Sequence, residues 1–273
     1  MSQAVPVLMY HHVSPNPGLV TVSPETFAWQ MQYLAKAGYA ALSADRFFAF
    51  LQGRETLPRK SVLITFDDGY LDNYVYAFPV LQRHGLRAAI FAVTSWITDG
   101  PVRGHAGETG ASSLPPTPDR GCKAAIAAGR ADEVMLRWSE FLKMESSGAI
   151  EVHSHTHTHL RWDEIHAGPA RRLGVLREDL DRSKATLRQQ LGKDSRHLCW
   201  PWGYFEREYL AVAEQAGFPV QYSVAKGVNV AGANPRQIAR VVIKDRVGRW
   251  FANRMWIYHH SLAGRIYSRL RGE

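Results

Sequence analysis

Two adjacent acids and a cluster of four histidines are the residues in this sequence best able to do chemistry. Asp67 and Asp68 close the run Ser61-Val-Leu-Ile-Thr-Phe-Asp-Asp-Gly-Tyr70, and His153, His155, His157 and His159, four of the twelve histidines, fall within seven residues. Neighbouring carboxylates repel, and the pair persists cheaply only where a cation or a shared proton sits between them. Imidazole is the commonest protein ligand for metals. Two imidazoles and one carboxylate make a three-ligand site with open positions, the pattern of a catalytic rather than a structural zinc. The second carboxylate is then free to take a proton from the attacking water. Alone, Asp-Asp-Gly also suits a solvated turn, and a His-rich run also suits a polar surface loop. Their conjunction, each after a strand-like run, favours the metal.

Which imidazoles pair depends on local conformation. On a helical turn His155 and His159 stand about 5–6 Å apart at Cβ, near enough to share an ion. In a strand that pair is roughly 13 Å apart, and His155 with His157, about 7 Å apart on one face, is favoured instead. The spacing leaves both open.

The elements that must position these residues alternate along the chain. Val62, Leu63, Ile64 and Phe66 read as a buried strand that stops at the two acids, with Gly69 permitting a sharp turn. Ligands of α/β proteins gather at such carboxyl ends. Residues 6–13 read as a first strand ending in His11–His12. Ser23 and Pro24 open a helix closed by Gly38, and Ser43 opens another ended by Gly53. Further helices are expected at about 73–84, 137–144 and 170–191, and another ending at Gly217. Further strands are expected at 39–42, 88–93, 149–153, 197 onward, 220–224 and 238–243. The alternation predicts a mainly parallel sheet or barrel. Residues 98–130, rich in Gly, Pro, Ser and Ala without periodicity, read as an inserted loop of the kind that serves as a lid or flap.

The 273 residues suit one large α/β domain, and 45% hydrophobic with 21% charged content is ordinary for a globular chain. The net charge of +8 is concentrated at one end: Lys244–Glu273 holds seven Lys/Arg and two Asp/Glu. No basic motif interleaved with readout residues runs through the body, which argues against nucleic acid. Cys122 and Cys199 make no disulfide framework. No apolar run approaches the roughly 20 residues of a membrane span. Residues 5–10 lack a basic leader and a cleavage site, so a cytoplasmic chain is expected.

Thr65-Phe-Asp-Asp-Gly69, Ser154-His-Thr-His-Thr-His159 and Trp200-Pro-Trp-Gly203 resemble three signature motifs of the NodB-type polysaccharide deacetylases, carbohydrate esterase family 4. The resemblance covers the chain from the first strand to about Ile243. It implies a distorted (β/α) barrel of about seven mainly parallel strands. The domain would span residues 1–247, followed by a basic tail at 248–273. It also implies hydrolysis of the N-acetyl group of an N-acetylhexosamine-containing glycan. By resemblance Asp67 is the catalytic base, and Asp68, His155 and His159 are the metal ligands, which selects the helical-turn pairing. His157 then lies behind the site or faces solvent. Zn2+ is the expected ion, and Ni2+ or Co2+ suits the same ligands.

The third motif departs from the family, because Cys199 stands where many members have an arginine that orients the base. Cys199 is expected to be a buried core residue rather than a ligand or nucleophile, and Arg240, on a late strand, is the candidate replacement. The Trp202 N–H matches the family's oxyanion donor, and the aromatic loop of Trp200, Trp202 and Tyr204 could stack on a sugar. Leu8-Met-Tyr-His11-His12 resembles the family's general-acid motif moved to the N-terminus. That is the arrangement of circularly permuted members acting on poly-N-acetylglucosamine. His11 is then the acid, with His12 in place of the usual Asp and His259 or His260 as rivals.

The family's polymers lie outside the cytoplasm, so a sugar built on the cytoplasmic side, lipid-linked, is the expected substrate. Trp250, Trp256, Leu262, Ile266 and Leu270 mix with Arg254, Arg265 and Arg269 in the tail. This suits an interfacial helix in peripheral contact with the inner face of the membrane, and equally a helix packed on the barrel. A hydrolase of another amide or ester, or a catalytically impaired carbohydrate-binding relic, would share these features.

Overall fold

The computed structural model describes residues 3–108, 114, 121–165 and 168–271. Seven parallel strands form one curved sheet in the order Val220–Tyr222, His197–Cys199, Ile150–Ser154, Ala88–Ala92, Ser61–Asp68, Val7–Tyr10 and Val241–Val242. An eighth, Ala40–Ala41, pairs in parallel with the start of Ser61–Asp68. The two edges approach each other through a bridge between Tyr222 and Ile238, so the sheet is an incomplete barrel. Helices cross from strand to strand, as parallel pairing requires.

Alternation along the central strand sorts its side chains between two cores. Val62, Ile64 and Phe66 pack outward with Phe27, Met31 and Phe78 of the covering helices. Leu63 points to the concave face with Phe91, Cys199, Tyr222 and Ile238. With a period of two, Thr65 and Asp67 follow Leu63 to that face. All eight residues of Ser61–Asp68 are buried. Each large apolar side chain among them contributes roughly 1.5–3 kcal/mol, which offsets the cost of holding two acids out of water.

The structure revises several sequence expectations. The predicted 6–13 strand is broken: Val7–Tyr10 joins the sheet, His11 leaves it, and His12–Val13 pairs with Thr21–Val22. The predicted 73–84 helix begins as a π-helical turn, Asn73–Ala77, before the α-helix Phe78–Arg83. Part of the 98–130 segment lies outside the described residues. The rest is not purely loop, since Cys122–Ala127 is a short helix.

The tail is two helices, Arg249–His259 and Ser261–Arg271. The first buries Phe251, Met255 and Tyr258, with Phe251 edge-on to Trp29 and Tyr33. Leu262, Ile266 and Leu270 of the second are exposed, as is Trp256 of the first. No helix among the described residues is long and apolar enough to cross a membrane.

Candidate active site

The carboxyl ends of the central strands bring Asp68, His155 and His159 together. Asp68 Oδ1 lies 3.3 Å from Nε2 of both His155 and His159. The edge of a tetrahedron with metal–ligand arms of 2.0–2.1 Å is about 3.4 Å, so one ion could reach all three atoms. Asp68 Oδ1 is buried yet has no hydrogen-bond partner among the described residues, an unsatisfied acceptor suited to a cation. Asp67, His155 and Cys199 form a second close triad. There, however, His155 Nδ1 is 2.8 Å from the Cys199 carbonyl oxygen. That bond leaves Nε2 as the ligand atom and aims the ring at Asp68. Burial, opposed by Asp68, pushes the His159 pKa down to about 4. At His155 burial is instead outweighed by the surrounding groups, Cys199 and Asp68 foremost, which hold the imidazole well above its ordinary value, so a metal would have to displace a proton there. Burial also pushes the Asp68 carboxyl up, but the two imidazoles outweigh it and hold it well below the usual carboxylate range.

His155 and His159 meet by a route the spacing argument did not contain. Residues 155–159 are neither helix nor strand. Thr156 and His159 have φ of 69° and 58°, and the His159 N–H donates to Thr156 Oγ1 at 3.1 Å. Asp179, from the helix Pro169–Leu191, accepts from the backbone N–H groups of His157 and Thr158 at 2.7 and 3.0 Å and pins the loop. His157 turns aside, its Nδ1 2.9 Å from Thr94 Oγ1.

Among the described residues four non-glycines have positive φ: Asp68, Thr156, His159 and Trp202. All four lie within the three motifs. Such conformations cost on the order of 1–3 kcal/mol each and cluster where function requires them. Asp68, with φ 74°, turns out of the strand's alternation toward the imidazoles while Asp67 keeps to the concave face. Gly69 (φ 90°) completes the turn, and a Cβ there would meet Ile97 at 3.2 Å.

Asp67 is clamped by Arg240. Nη1 and Nη2 donate to Oδ1 and Oδ2 at 2.7 and 2.8 Å, while Nε donates to the Ser223 carbonyl at 2.8 Å. Both side chains are buried. Burial pushes the Asp67 carboxyl up, but Arg240, with His11 and His155, outweighs it and holds the acid below its ordinary pKa. The Cys199 thiol donates to Asp67 Oδ1 at 3.6 Å, and burial pushes its own pKa up, so it stays protonated. The guanidinium thus enters from the residue 238–242 segment rather than from the third motif.

His11 Nε2 stands 3.7 Å from Asp67 Oδ2, and burial lowers its pKa against the pull of Asp67 and Asp68. His12 points elsewhere: its Nδ1 is 2.5 Å from Asp72 Oδ2 and its ring stacks on Tyr70 at 3.8 Å. Asp72 and Tyr70 are site residues that sequence reasoning missed; their place in the same turn as Asp67 and Asp68 was the available signal. The rivals His259 and His260 are far away. His259 lies against Tyr39 and His260 bridges to Gln3. Tyr39 precedes the strand that pairs with Ser61–Val62, and the rise from Ser61 to Asp68 is roughly 23 Å.

The aromatic loop divides. Trp202, 55% exposed with φ 60°, lies 5.6 Å from the His159 ring and is presented to solvent. Gly203 must follow it, since a Cβ there would fall 2.3 Å from Val224. Trp200 corrects the sequence expectation. It is 0% exposed, donates through Nε1 to Gln221 at 3.2 Å and packs on Trp162 and Tyr209, so it supports the loop from within the core and presents no face to solvent. Tyr204 is half-exposed beside Arg161 and Glu206 at the rim.

The family model for polysaccharide deacetylase matches residues 54–221, which hold all three motifs. The chain belongs to the polysaccharide deacetylase family. Members are hydrolases of N-acetyl amide bonds. The poly-beta-1,6-N-acetyl-D-glucosamine N-deacetylase of Staphylococcus aureus (strain MRSA252) is 23% identical over 229 residues, covering 82% of this chain and 68% of that protein. The chain spans about two thirds of the length of the curated relatives it matches. Among solved structures, IcaB from Ammonifex degensii superposes with a TM-score of 0.72 at 25% identity, covering 94% of this chain and 98% of that one. The Streptococcus pyogenes deacetylase PplD in complex with acetate also reaches 0.72, at 21% identity and 93% and 99% coverage, a likeness of fold. Both comparisons support a NodB-type barrel for this polysaccharide deacetylase family member.

Proposed function

We propose that this chain hydrolyses the N-acetyl group of an N-acetylhexosamine unit in a glycan, releasing acetate and a free amine. The observation that carries this reading is the pairing of a three-ligand cluster with an adjacent carboxylate kept ionised by Arg240. Asp68, His155 and His159 would hold a divalent ion, most suitably Zn2+ from the two-nitrogen, one-oxygen donor set, with Ni2+ or Co2+ as alternatives. When bound, such an ion acts as a Lewis acid toward an acetamide carbonyl and acidifies water.

The chain's own residues supply the rest. Asp67, ionised and fixed by two guanidinium hydrogen bonds, accepts the proton of the attacking water. The Trp202 N–H donates to the carbonyl oxygen as negative charge builds there, and its indole offers a face to the sugar ring. His11 gives its proton to the amine nitrogen as the C–N bond breaks. Arg240 in the orienting role counts against a catalytically impaired relic, since it restores the contact that Cys199 cannot make.

The test is acetate release from β-1,6-linked N-acetylglucosamine oligomers, measured beside simple aryl acetates after loading with Zn2+, Ni2+ or Co2+. The reading expects the amide substrates to turn over. Ester cleavage without amide cleavage would replace it with the esterase alternative. Peripheral contact with an anionic bilayer belongs to the same reading, supported by exposed Leu262, Ile266 and Leu270 beside Arg265 and Arg269. Flotation on anionic liposomes is expected for the full chain and not for one ending at residue 247; equal flotation of both would refute it.

A further inference from the structure

A cation stands at the mouth of the site, and among the described residues no carboxylate pairs with it. Lys123, on the Cys122–Ala127 helix, places its ammonium 3.7 Å from the centroid of the Trp202 ring, whose centroid is also 5.6 Å from that of His159. Other cations of the surrounding segments, Arg103, Arg130, Arg137 and Lys143, each form an ion pair, and among the described residues Lys123 forms none. Lys123 also lines a cavity of about 700 Å³ together with Tyr70, His12, Pro17, Leu19 and Val20. Among the described residues no carboxylate lines that cavity, and Leu19 is fully exposed at its rim.

We propose that Lys123 reads a phosphate joined to the N-acetyl sugar. The inference rests on the deacetylase reading and adds the charge of the substrate. A sugar stacked on Trp202 must displace the ammonium from the indole face, and an exposed cation–π contact is weak enough to be exchanged. A phosphate on that sugar gives the displaced ammonium a stronger, charge-assisted partner. The same cavity offers apolar Val20 and Leu19, over which a prenyl chain on the phosphate would lie. A free sugar phosphate and a lipid-linked sugar share the recognised chemistry and differ in whether that rim is used.

The experiment compares kcat/KM for acetate release from three compounds by the metal-loaded full chain. They are the methyl glycoside of N-acetylglucosamine, N-acetylglucosamine 1-phosphate, and prenyl-diphosphate-linked N-acetylglucosamine. The two phosphates are expected to exceed the methyl glycoside by about tenfold at low salt. The ratio is expected to fall to about one in Lys123→Ala and below one in Lys123→Glu. A further gain for the prenyl compound assigns the rim to lipid, and equality of the two phosphates assigns the site to a soluble sugar phosphate. A wild-type ratio near one, or a ratio unmoved by Lys123→Ala, overturns the inference. If none of the three releases acetate, the deacetylase reading falls. Calorimetric binding of the 1-phosphate against the methyl glycoside then decides the inference alone: Lys123-dependent preference sustains it and equal affinity overturns it.

Discussion

Replacing Asp67 by Asn is expected to lower acetate release by about 10²–10⁴-fold while the capacity to bind a divalent ion is retained. The two effects separate because the structure separates the two acids. Asp68 leaves the strand at φ 74° and meets the imidazoles, whereas Asp67 stays on the concave face in the grip of Arg240. Asn keeps the shape and one acceptor but cannot take a proton from water. Kinetics on an N-acetylglucosamine oligomer, paired with metal analysis of the same preparation, checks the claim. Loss of metal together with activity would show that Asp67 is a ligand and not the base.

The second large effect is expected from Arg240→Met, and it falls on stability as well as rate. Removing one partner of a fully buried pair strands the other, at a cost of roughly 3–5 kcal/mol. In a domain of this size that lowers Tm by on the order of 10 °C. The sign of the pH effect follows from the wild-type shift. Asp67 sits below its ordinary pKa, so its pairing stabilises the fold above that ordinary value and is lost as pH falls through the lowered one. In Arg240→Met burial is left unopposed by the guanidinium, the Asp67 pKa rises, and the acidic limb of the kcat/KM profile moves to higher pH. Arg240→Lys keeps the charge without the fork and should fall between. Calorimetry and a pH–rate series are the measurements; an unmoved Tm and an unmoved acidic limb would show that the guanidinium neither supports nor tunes the acid.

Much of the frame was legible because it follows from periodicity. The apolar run before Asp67 announced a buried strand, and the regular alternation of strands and helices announced a parallel sheet. Arg240 could be nominated because a guanidinium was missing at Cys199 and a late strand could return one. Backbone conformation that residue types do not advertise was not legible. Thr156 and His159 take left-handed φ without being glycine, so the His155–His159 pairing is made by a loop that Asp179, twenty residues on, holds from a separate helix. Trp200 and Trp202 are chemically alike and two residues apart, yet one is core and the other is presented to solvent. Only the turn at Trp202 and Gly203 separates them. The break between Tyr10 and His12 is likewise set by tertiary partners, Asp72 and Tyr70, that lie sixty residues away in the chain.

The most direct measurement is the metal content of the purified chain after zinc loading and dialysis, read beside Asp68→Asn and His159→Ala. The account predicts one divalent ion per wild-type chain and affinity weakened by more than about 10²-fold in each variant, beyond what loss of an outer-shell partner costs. A wild-type chain that retains no ion, or variants that retain it as tightly as the wild type, would contradict it.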